Sequence, residues 1–136
     1  MLTLLAALSL LPGPVWSLTR ITPAGRESFT LGPRLTPPSL TLSRLALPTG
    51  TLGVTGTTGC SPLKGRVTVR GAAVRFTVLN AGTTERCPDH ALGLREDFLR
   101  LLSGATRSEV RDQTLILSGA AGELVFTRRS AGPRGP

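Results

Sequence analysis

The sequence predicts an α+β domain: a strongly bent antiparallel sheet of seven or eight strands with one helix packed on its apolar face. Three observations carry this. Residues 66–70 and 74–78 alternate in period two across a short turn at Gly71 and Ala72, so that Val67, Val69, Val74, Phe76 and Val78 share one face. Residues 88–102 instead repeat in the helical period, with Ala91, Leu94, Phe98, Leu101 and Leu102 at three- and four-residue spacings. The rest of the chain breaks into short β-type windows separated by Gly- and Pro-rich turns.

A chain of 136 residues suits one domain with a modest core, and 40% hydrophobic against 18% charged residues suits a globular rather than a disordered chain. The net charge is +8, carried almost wholly by Arg; Lys64 is the single lysine and Tyr is absent. That skew fits a GC-rich genome better than a binding requirement. Its physical consequence is weak attraction to anionic lipid, cell-wall polymer or nucleic acid. No recognition module and no aromatic stacking platform accompanies the charge, which argues against specific nucleic-acid binding.

Residues 1–14 read as a secretory signal. Met1 to Leu11 is uncharged and apolar, too short to span a bilayer, and Pro12, Gly13 and Pro14 break it. No Cys follows it, so no lipoprotein anchor is expected, and an exported protein of the periplasm, envelope or medium is. Residues 15–129 form the domain and 130–136 a loose tail without an apolar anchor. Within the domain, 15–21 is a first strand with Trp16, Leu18 and Ile21 inward. Turns surround a short strand at 28–31. Ser39 to Leu47 alternates, then shifts phase from Leu40 and Leu42 to Leu45 and Leu47, which predicts a bulge near Arg44. Leu52 and Val54 lead into a turn in which Gly53, Gly56 and Gly59 suit positive φ or close backbone approach. Pro88 and Asp89 open the helix and Gly104 ends it, while Glu96 and Arg100 can pair along it. Phe76 from the hairpin and Phe98 from the helix are expected to meet. Strands at 107–110, 114–117 and 124–128 follow, with turns at 111–113 and 119–122.

The run Gly56-Thr-Thr-Gly59-Cys60-Ser61, then Gly65, then Thr83-Thr-Glu-Arg-Cys87, resembles the signature of the META domain, the family of HslJ-like heat-inducible proteins of bacterial envelopes. Its pattern runs G-x-x-G-C-N, a nearby Gly, and T-x-x-x-C. The likeness extends from Trp16-Ser17-Leu18, similar to an opening W-x-L, through Glu96-Asp97-Phe98-Leu99, similar to an E-x-x-F-L helix, to a closing hairpin at Leu115–Leu117 and Leu124–Phe126. Ser61 replaces the usual Asn, and the aromatic common between Cys60 and Gly65 is missing. The resemblance implies a partly open β-barrel with an inserted helix. It also implies an exported, non-enzymatic, stress-related module acting on an envelope protein or lipid.

Cys60 and Cys87 allow three readings: a disulfide, the simplest in an exported protein; two buried thiols; or a reactive thiol at Cys87 near His90. There is no C-x-x-C pair and no oxyanion element, and one His with two separated Cys is too sparse for a metal site. Glu96 and Asp97 are adjacent on the helix and diverge, so they form no facing carboxylate pair. No phosphate-loop motif follows the glycines, so no cofactor is expected. Arg66, Arg70 and Arg75 share the polar hairpin face as a candidate anion patch. The remaining functional alternative is a carrier holding a small hydrophobic ligand between sheet and helix. A monomer is expected.

Overall fold

A computed structural model describes residues 12–44 and 50–129. The signal-like run before Pro12, the phase shift near Arg44 that involves Leu45 and Leu47, the tail from Ser130 and the side chain of Val78 lie outside the described residues.

The chain forms β1 (Val15–Pro23), β2 (Phe29–Thr30), β3 (Ser39–Ser43), β4 (Thr51–Thr57), β5 (Pro62–Arg70), β6 (Ala73–Asn80), α1 (Asp89–Ser103), β7 (Ala105–Arg111), β8 (Thr114–Gly119) and β9 (Gly122–Arg129). All strand pairings are antiparallel, in the order β2-β1-β3-β4-β5-β6-β7-β8-β9, with β1 also paired to β9. The bent sheet therefore closes into a barrel of eight strands, with β2 an addition beside the far half of β1. Closure removes the unpaired edges that an open sheet would expose.

β1 makes closure possible. Val15, Trp16 and Ser17 pair with β3 on one side, while the whole strand pairs with β9 on the other, from Val15↔Arg129 to Pro23↔Gly122. A register shift between Leu18 and Arg20 absorbs one residue there. That shift is why Trp16, Leu18 and Ile21 all point inward although their spacing is not uniformly two. The seam between β6 and β7 is the thinnest, with Ala73↔Arg107 in register and the Ser108 N–H donating to the Ala72 carbonyl at 2.7 Å. In this register the second half of β6 runs past the start of β7 at Ala105, and α1 packs against β6.

The strand ends at Pro23, Thr57, Pro62, Asn80, Ala105, Gly119 and Gly122 fall at one mouth of the barrel, and α1 crosses it, touching β1, β6, β8 and β9. Phe98, Leu101 and Leu102 enter the core, whereas Ala91 and Leu94 stay half-buried nearer the rim. Phe76 is buried as expected, but the ring that Phe98 meets edge-on is Phe126 of β9, with centroids 6.2 Å apart. Closing the barrel brings β9 under the helix, and no pattern local to the hairpin signals that. Arg100 also differs from expectation. It pairs with Asp97 at 2.8 Å rather than with Glu96, and Asp97 also accepts from Arg26 at 3.2 Å, tying α1 to the turn after β1.

The close approach of β3 to β4 explains one motif glycine. Gly56 lies opposite Leu40, and a Cβ there would sit 2.0 Å from the Ser39 carbonyl oxygen. Backbone cannot yield as a flexible side chain can. Gly56→Ala should therefore cost about 2 kcal/mol or more, read as a lower urea midpoint, because it must pry β3 from β4. An unchanged midpoint would show that the strands accommodate the methyl group.

Candidate functional site

The glycine and cysteine motif residues Gly56, Gly59, Cys60 and Cys87 come together at one end of the barrel, around the turn from β4 to β5. Gly59 has φ +107°, and a Cβ on it would meet the Thr36 carbonyl oxygen at 2.7 Å, so this turn lies directly against the segment before β3. Inside the turn, the Thr58 and Ser61 hydroxyls are buried and 2.7 Å apart, and the Ser61 N–H donates to Thr58 Oγ1 at 3.1 Å. Arg95 reaches from α1 and donates its Nε–H to Ser61 Oγ at 3.2 Å. Its Nη2 also faces the Ala81 and Gly82 carbonyls at 3.4 Å. Buried hydroxyls need partners, and here they join three segments that are distant in sequence.

Cys60 and Cys87 are bonded, with Cα atoms 5.0 Å apart, inside the usual span for a disulfide. The bond fastens the β4–β5 turn to the segment that enters α1. Of the three readings of the cysteines, the structure therefore takes the first. The other motif residues divide by environment. Trp16 and Phe98 are core. Gly65 sits at the register shift between Lys64 and Arg66, where a Cβ would meet Leu79 Cδ2 at 2.6 Å. Thr83 is exposed and donates to Glu85 at 3.3 Å, and Glu96 is exposed on α1.

Chemically, this end is a brace. The thiols are joined, the Ser61 hydroxyl is buried and bonded to Thr58 and Arg95, and His90 is exposed on the first turn of α1. Among the described residues, no three of His, Cys, Asp and Glu come together as metal ligands would. Arg95 and Thr58 escaped the sequence reading. Arg95 sits on the helix between apolar positions that dominate the pattern, and a hydroxyl inside a Gly-Thr turn looks like any other turn residue.

The hairpin arginines do share one exposed face, with Arg66 opposite Thr77, Arg75 opposite Thr68 and Arg70 opposite Ala73. Arg107 joins them across the β6–β7 seam, opposite Ala73. A shallow depression of about 320 Å³ lies among Thr68, Arg70, Ala73, Val74 and Arg75. Among the described residues, none of these four arginines is paired with a carboxylate.

Two further depressions flank α1, of about 240 and 280 Å³, and both are lined by Leu35, His90 and Leu94. They separate the helix from the excursion between β1 and β3.

A closed antiparallel barrel whose one mouth is crossed by a helix and braced by a disulfide defines the class. The chain belongs to the META domain family, whose model matches residues 9–131. The NMR structure of a protein from Burkholderia xenovorans is similar at TM-score 0.73 and 24% identity, covering 92% of this chain and 88% of that one. A second protein solved by NMR is similar at TM-score 0.63 and 13% identity, covering 88% of this chain and 92% of its own. At these identities the likeness is one of fold. No curated protein matches the chain.

Proposed function

We propose that this META-domain protein is an exported, non-enzymatic module of the cell envelope that acts by stress-related binding to an envelope protein or lipid. The observation that carries the reading is the Cys60–Cys87 bond, which leaves no free cysteine among the described residues. A thiol enzyme centred on Cys87 needs a thiolate beside its base. A structural disulfide, by contrast, belongs to oxidising compartments outside the cytosol. The barrel interior supports binding at the surface over carriage inside. Trp16, Phe98 and Phe126 are buried there in one cluster with the inward leucines and valines, which is the packing expected of a core rather than of a ligand cavity. Export further requires a cut that spares Trp16. Cleavage after Ser17 would remove a fully buried side chain and every β1–β3 register pair, so the mature chain should begin upstream of Trp16, near Gly13 or Pro14.

The test is a host deletion strain complemented with the Cys60→Ser/Cys87→Ser double variant. Survival of heat stress is measured at a temperature where circular dichroism shows the variant folded. Restored survival, with the protein in the envelope fraction and an N-terminus upstream of Trp16 by mass spectrometry, is expected. Lost survival with a folded variant would move the function to sulfur chemistry. Recovery of the wild type in the cytosol with reduced thiols would remove the export reading.

A further inference from the structure

The excursion from Ala24 to Pro38, between β1 and β3, faces α1 across a trough made of two depressions lined by residues of both. The two depressions beside α1 share Leu35, His90 and Leu94 in their linings and so lie side by side along the helix. They differ in chemistry. The first is lined by Arg34 and Arg86, with Thr36 and the turn at Gly59 and Cys60, and no carboxylate lines it. Among the described residues, neither guanidinium is ion-paired, whereas Arg20, Arg26, Arg100 and Arg111 all are. The second has an apolar floor of Ile21, Pro23, Leu35 and Leu94. At its rim stands Phe29, the one large apolar side chain exposed among the described residues, at 48%. Its charged lining residues are one cation and two carboxylates, Arg26 paired to Asp97 at 3.2 Å, and Glu27.

We propose that this trough binds a single-chain anionic amphiphile, a fatty-acid carboxylate in its simplest form. The head lies toward Arg34 and Arg86 and the chain runs along Leu35 and Leu94 to Phe29. Two unpaired guanidiniums lining one of two adjoining depressions favour an anion, because charge-assisted hydrogen bonds from Arg to carboxylate are the strong ones. An exposed aromatic beside a half-buried leucine strip favours an alkyl chain over water. Only a ligand with both features, joined end to end, matches the polarity of the trough. The proposal is separate from the question of export, because it concerns binding by the folded chain alone.

The probe is decanoate below its micelle concentration, titrated into the full chain by calorimetry, with amide NMR shifts to locate it. Saturable binding is expected, with the largest shifts at Gly59, Ala91 and Leu94. Decyltrimethylammonium, with the same chain and opposite charge, and acetate, with the head alone, should each bind at least about tenfold more weakly. Arg34→Glu/Arg86→Glu should weaken decanoate by about tenfold or more, and Phe29→Ser by several-fold. All three positions are exposed, so the fold should survive, which unchanged circular dichroism and urea midpoint would confirm. Equal binding of the cationic analogue would overturn the proposal, as would shifts confined to the Arg66–Arg75 face. A concentration-dependent dimer abolished by Phe29→Ser would assign the trough to a second copy. An acidic peptide that binds where decanoate does not would assign it to a polypeptide.

Discussion

Phe98→Ala should destabilise the protein by about 4 kcal/mol, a large part of the 5–15 kcal/mol expected for a domain of this kind. The side chain is fully buried where α1 enters the barrel mouth, and its ring meets Phe126 edge-on at 6.2 Å. Truncation removes the aromatic contact and leaves a cavity between helix and β9, because the closed strands cannot collapse inward to fill it. Urea unfolding followed by Trp16 fluorescence is the measurement, and a lower midpoint at unchanged slope is the expected form. In a double-mutant cycle with Phe126→Leu, a coupling of about 1 kcal/mol would isolate the ring pair. Phe29→Ala, at 48% exposure, serves as the control and should change stability by less than about 0.5 kcal/mol. A cost below about 1 kcal/mol for Phe98→Ala would mean that α1 is not anchored by this residue.

Loss of the disulfide should be nearly as severe. Cys60 and Cys87 are 27 residues apart, and closing a loop of that length stabilises by about 3.5 kcal/mol through the unfolded chain. The Cys60→Ser/Cys87→Ser variant should therefore melt roughly 10–15 °C below the oxidised wild type. The native arrangement should persist below that temperature, because Thr58, Ser61 and Arg95 still join the turn to α1. Denaturing alkylation of the wild type without reductant should label neither cysteine. If both are labelled, or if reductant leaves the melting temperature unchanged, the bond does not brace the mature protein.

Much of this architecture is legible in the chain. Period-two alternation in β5 and β6 predicts the hairpin and its inward Val67, Val69, Val74 and Phe76, and the three- and four-residue spacing of Phe98, Leu101 and Leu102 predicts the core face of α1. Gly104 ends the helix where a glycine stop is expected. These are local facts: periodicity and turn chemistry act over a few residues, and side chains on one face have no other way to leave water. The motif of glycines and cysteines likewise marks the braced end, since Gly56 and Gly59 stand where backbone approaches too closely for any side chain.

Tertiary structure alone decided the rest. Whether the bent sheet stays open or closes depends on β1 pairing with β9, which begins more than ninety residues later in the chain, and no window of sequence contains both. The same closure chose Phe126 as the neighbour of Phe98. It also brought Arg107 beside the hairpin arginines, and α1 drew Arg95 onto Ser61. The trough beside α1 belongs to this second class. Its basic end takes Arg34 from one excursion and Arg86 from another, and its apolar end takes Phe29 from a two-residue strand too short to show a period. Residues that meet only through chain return carry no mutual spacing in the sequence, so their pairing is set by packing and barrel register rather than by pattern.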